Sequence, residues 1–167
     1  MNNQLNCVKH KEKILERGKK VLDFSTNKGE DAFDNEERES SFDEKVTALL
    51  IEHGKSPSVI KLGTDLSDLQ NAVGGFIEVI YPFDDDRACI ICNEEGKING
   101  MELNRSLYDR DGYIVDIIAG PFVVIGLDLE NFTSLTKEQI EKYRIQFLYP
   151  EYFKYVGDRL AVFYGKP

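Results

Sequence analysis

The chain has 167 residues, a formal net charge of −9, 41% hydrophobic residues, 10 Phe, 8 Tyr and no Trp. Such a length suits one compact domain with an appendage, and the composition lies far from that of a disordered chain. No apolar run approaches the roughly 20 residues that cross a bilayer, the N-terminus lacks the apolar core of a secretory signal, and three irregularly spaced cysteines argue against a disulfide framework, so a cytoplasmic protein without membrane contact is expected.

Charge marks the first boundaries. Residues 1–29 hold seven Lys/Arg against three acids, a net of +4, and residues 30–44 hold eight acids against one Arg, a net of −7, which leaves −6 for residues 45–167. Within the basic segment, residues 7–22 read as a weak amphipathic helix with Glu12–Glu16 and Glu16–Lys20 at i,i+4 spacing. That helix either packs or frays, or serves as an arm that touches a partner or nucleic acid; no aromatic residue interleaves its lysines for base stacking. The acidic run, with Glu36 and Glu37 at its centre, reads as a solvated linker.

From Lys45 onward strands punctuated by turns predominate. Residues 46–52 and 58–62 form an expected hairpin about His53 to Pro57. A helix capped by Thr64 or Asp65 places Leu66, Leu69 and Val73 on one face and ends at Gly74-Gly75, where a left-handed or extended backbone is needed. Strands are expected at 76–81, 87–92, 113–118 and 122–125, with one or two helical turns at 103–108. Thr136 and Gln139 spell a capping box for a helix carrying Ile140, Tyr143 and Phe147 and stopped by Pro150. Residues 160–164 complete the series as an edge strand. Strand links too short for parallel crossovers point to an α+β fold, a mainly antiparallel sheet carrying single helices, over residues 45–167.

Four blocks carry a resemblance. Val73-Gly74-Gly75-Phe76-Ile77-Glu78, then Asn93-Glu94-Glu95-Gly96-Lys97 with Gly100 and Asn104, then Ile118-Ala119-Gly120-Pro121-Phe122-Val123-Val124, and Leu135-Thr136-Lys137-Glu138-Gln139-Ile140 together resemble the family of domains of unknown function 3846, over roughly residues 46–141. The resemblance implies a phage or other mobile-element protein, often encoded near antirestriction genes. It implies no catalytic residue.

The chemistry readable from residue types is sparse. Cys89 and Cys92 have the C-x-x-C spacing of zinc and dithiol sites, but in a strand two residues three apart point to opposite faces, which favours buried small hydrophobes. Glu94 and Glu95 have acid/base or hard-cation potential; the surrounding Asn93-Glu94-Glu95-Gly96-Lys97 has turn chemistry, Asn starting it and Gly taking a positive φ. Asp84, Asp85 and Asp86 lack the alternating twelve-residue spacing of a calcium loop. The glycines form no phosphate cradle, and His10 and His53 are the only imidazoles. No metal and no cofactor is expected. Asn104 and Arg105 stand out as an amide and a guanidinium fork on an exposed face, unless Asn104 is spent on fixing the nearby Asn93 turn.

These readings favour a non-enzymatic binding protein of a mobile element, an anti-defence inhibitor that meets a basic surface of a host protein through its acidic residues. Two alternatives stay open: a metal-dependent nuclease or hydrolase using Glu94, Glu95, Glu102 and Asp116, and a small-molecule or nucleotide sensor. Nucleic-acid contact through residues 1–29 is a variant of the first.

Overall fold

The computed structural model describes residues 45–84, 87–129 and 131–167. The expected N-terminal helix, the acidic linker with Glu36 and Glu37, and Asp85 and Asp86 lie outside the described residues.

β1 (Val46–Ile51) and β2 (Ser58–Leu62) pair antiparallel as expected, with Val46 opposite Leu62 and Leu50 opposite Ser58. α1 (Leu66–Val73) starts at Asp65 and stops at Gly74, whose left-handed φ of 75° lets its N–H bond the carbonyl of Gln70 at 2.8 Å; a side chain there would strain the backbone. Leu69 and Val73 are buried on one helix face, whereas Leu66, expected beside them, is 46% exposed.

The remaining strands are β3 (Ile77–Ile80), β4 (Ala88–Asn93), β5 (Leu103–Tyr108), β6 (Ile114–Ala119), β7 (Phe122–Asp128), β8 (Asn131–Thr133), β9 (Glu151–Val156) and β10 (Arg159–Tyr164). The main sheet runs β2-β1-β7-β4-β3, with β8 also paired to β7, and each pairing is antiparallel. β5–β6 and β9–β10 form two separate hairpins. Residues 103–108 are thus a strand, not the helical turns expected, and residues 160–164 pair with β9 instead of joining the main sheet.

Alternation along the central strands divides the core in two. Leu49, Ile51, Ile90, Cys92, Phe122 and Val124 face Leu107 and Ile118 of the β5–β6 hairpin and Tyr143 and Phe147 at the end of α2 (Lys137–Gln146). Val46, Ala48, Cys89, Ile91, Val123 and Ile125 face Leu69 and Val73 of α1. The sheet is therefore covered on both sides, which is why β4 is buried at all six positions and reads as a continuous apolar run. Cys89 and Cys92 fall into different clusters, as the pleat of a strand requires.

The capping box of α2 is complete: Thr136 Oγ1 accepts from the Gln139 N–H at 3.2 Å, and Gln139 Oε1 accepts from the Thr136 N–H at 2.9 Å. No described helix is long and apolar enough to cross a membrane.

Candidate interaction site

Asn104 and Arg105, expected on an exposed face, are 0% and 1% exposed. The cause is cover on both faces of β5: Leu107 packs into the cluster on the main sheet, while Glu151 at the start of β9 holds the Ser106 N–H, so that Asn104, Arg105, Ser106 and Leu107 are buried in succession.

Buried polar groups are costly unless paired, and the side chains of Asn104 and Arg105 are paired. Asn104 Nδ2 donates to the carbonyls of Ile51 at 3.0 Å and Gly120 at 2.8 Å, joining the end of β1 to the β6–β7 turn. Asn104 does not fix the Asn93 turn; Asn93 does so itself, accepting from the Glu95 N–H at 2.9 Å and donating to the Val73 carbonyl at 3.3 Å.

Arg105 spends all five N–H donors. Nη1 donates to the carbonyl and the Oδ1 of Asn104 at 3.0 and 2.8 Å, Nη2 to the carbonyls of Lys55 at 2.7 Å and Phe147 at 3.2 Å, and Nε to Phe147 at 3.4 Å. Phe147 caps the C-terminus of α2, where a cation meets the negative end of the helix dipole. Burial lowers the Arg105 pKa, and the charge of nearby Glu151 opposes that shift. Glu151 is itself buried and accepts from the Ser106 N–H at 2.8 Å, so the start of β9 is fastened to β5.

The expected carboxylates do not converge. Glu94 and Glu95 are exposed in the turn after β4, whereas Asp84 precedes the opposite end of that strand and binds Arg110 at 2.7 Å. Glu95 faces Asn99, Glu102 lies 3.4 Å from His53 Nε2, and Asp116 is paired with Lys97. Among the described residues no three His, Cys, Asp or Glu side chains gather to hold a metal ion. Burial pushes the Cys89 thiol far up from its ordinary range, which removes the thiolate that dithiol exchange requires. Gly96 was expected to take a positive φ and does not; a Cβ there would lie 2.8 Å from the Ala119 carbonyl oxygen, so glycine permits a close approach of two backbones.

A family model for a domain of unknown function, DUF3846, matches residues 46–148. The chain belongs to the DUF3846 family. No curated protein and no solved structure matches it.

Within the DUF3846 domain, the four blocks that carry the sequence resemblance occur at packed junctions. Glu94 N–H bonds the Phe76 carbonyl at 2.8 Å, and Gly75 leaves room for Asn93, whose Nδ2 would lie 2.6 Å from an added Cβ. Gly120, at φ 78°, abuts Met101 and receives Asn104 through its carbonyl. These residues build the frame. Between α1 and the Asn93 turn lies a shallow depression of about 360 Å³ edged by Gln70, Asn71 and Asn99, beside a Phe76 that is 62% exposed.

The β9–β10 hairpin starts after the DUF3846 match ends, and only its second strand is foreseen from sequence. It leaves Tyr152, Tyr155, Val156, Leu160, Phe163 and Tyr164 exposed. The signal available was the aromatic and β-branched run Tyr152-Phe153-Lys154-Tyr155-Val156 before the turn residues Gly157-Asp158.

Proposed function

We propose that this DUF3846 chain is a non-enzymatic binding protein of a phage or other mobile element, acting in the cytoplasm as an anti-defence inhibitor that engages a basic surface of a host defence protein. One observation carries the reading. The buried polar side chains Asn93, Asn104, Arg105 and Glu151 are bonded to the fold's own main chain, so the polar chemistry offered to a partner lies at the surface, and residues 45–167 carry a net charge of −6. Glu94 and Glu95 are exposed carboxylates in a hydrogen-bonded turn. A basic partner gains from such a field mainly in association rate and selectivity.

Affinity capture from a host lysate tests this. The expected result is a basic host protein whose binding weakens with salt and is lost in a Glu94→Lys, Glu95→Lys variant. Capture without such a partner, or with one indifferent to the charge reversal, removes the reading. Repeating it without residues 1–44 locates the contribution of Glu36 and Glu37. The depression beside Phe76 favours a second reading, a small-molecule sensor, which predicts stabilisation of the fold by its ligand in a thermal shift assay.

A further inference from the structure

The C-terminal hairpin differs from the residues before it in charge. Residues 151–167 contain Lys154, Arg159 and Lys166 against Glu151 and Asp158, a net of +1, whereas residues 45–150 contain ten Lys/Arg against seventeen Asp/Glu, a net of −7. Opposed residues of an antiparallel pair share a face. The register places Tyr152 opposite Phe163, Lys154 opposite Ala161 and Val156 opposite Arg159, so one face of the ribbon alternates an aromatic pair with two cations. The companion face meets β5 at one end, where Glu151 holds the Ser106 N–H at 2.8 Å and the hydroxyls of Tyr164 and Tyr108 meet at 3.1 Å, and it leaves Tyr155 and Tyr164 exposed without a cation between them.

The face bearing the cations is open. Tyr152 is 39% and Phe163 47% exposed, and Lys154 and Arg159 are exposed as well. Tyr152 is also held in place. Its ring meets His53 edge-on at 5.6 Å between centroids, its hydroxyl lies 3.5 Å from where a Cβ on Gly54 would stand, and Gly165 packs so closely that a Cβ there would come within 2.8 Å of its ring. A ring fixed before binding loses little freedom when a planar group stacks on it.

We propose that this face of the β9–β10 hairpin docks single-stranded nucleic acid, with Tyr152 and Phe163 as stacking platforms for bases and Lys154 and Arg159 as phosphate contacts. Exposed aromatic rings interleaved with cations on a β-ribbon supply the two things a single strand offers, unstacked base faces and a charged backbone. A protein partner uses the aromatic rings equally well, but has no general need of cations between them. The acidity of the remaining surface does not forbid the contact, because fields beyond about 10 Å are largely screened at 0.1 M salt.

The test is fluorescence anisotropy of labelled oligo-dT and oligo-U with the full-length chain, against a duplex control. Binding to the single strands is expected, weaker for the duplex, with a log–log salt slope of about −1.4 if Lys154 and Arg159 each neutralise one phosphate. Tyr152→Ala and Phe163→Ala are each expected to weaken binding by about fivefold or more, and Lys154→Glu to weaken it while circular dichroism stays unchanged. A strand that does not bind at 0.1 M salt overturns the proposal, as does full binding by the hairpin variants, which transfers the contact to residues 1–29. Equal affinity for the duplex overturns the stacking role.

Discussion

Replacing Arg105 by alanine leaves the carbonyls of Lys55 and Phe147 and the Oδ1 of Asn104 without their donors. Breaking such a buried charged network costs about 3–5 kcal/mol, and urea unfolding of Arg105→Ala is expected to show a loss of that order. Arg105→Lys is expected to recover only part of it, since a single ammonium cannot reach three acceptors on a planar fork. Cys89 and Cys92 are expected to stay unlabelled by a thiol reagent in the folded Cys7→Ser variant and to react only in denaturant, because both are buried. The cysteines were legible from sequence, since pleating alone separates them. Arg105 was not: an arginine is rarely buried unless paired, and its acceptors lie 42 and 50 positions away.

At the scale of elements, local signals located most of the strands and both described helices. The hairpin of β1 and β2, the glycine stop of α1 and the capping box of α2 each depend on residues within a few positions of one another. β5 was misread because Leu103-Asn104-Arg105-Ser106-Leu107-Tyr108 lacks apolar alternation, and its polar members are buried by distant partners, Ile51, Lys55, Phe147 and Glu151. The end of β5 yields a pH test. Burial, and next the hydrogen bond with Tyr164, push the Tyr108 hydroxyl up to about 12, above the roughly 10 of an unfolded tyrosine. The folded chain then holds its proton more tightly, so this group leaves stability unchanged below about pH 10 and reduces it between about pH 10 and 12. Tyr108→Phe is expected to show a smaller drop in urea midpoint than the parent between about pH 10 and 12.

For the molecule as a whole, the C-terminal hairpin is joined to the DUF3846 core through few polar links. Glu151→Gln keeps an acceptor for the Ser106 N–H but removes the negative charge beside Arg105, and an expected loss of about 1 kcal/mol follows from exchanging a charged for a neutral hydrogen bond. Urea unfolding checks it, with a change in midpoint and an unchanged slope as the signature. The sequence by itself determined the α+β class, the antiparallel character of the sheet, the opposed cysteines and the family, because each follows from short-range periodicity, turn chemistry or a linear motif. Only the tertiary structure decided the strand order β2-β1-β7-β4-β3 and the burial of Asn104 and Arg105. Those depend on which distant segments meet, and pairing between segments far apart in the chain leaves no trace in local alternation.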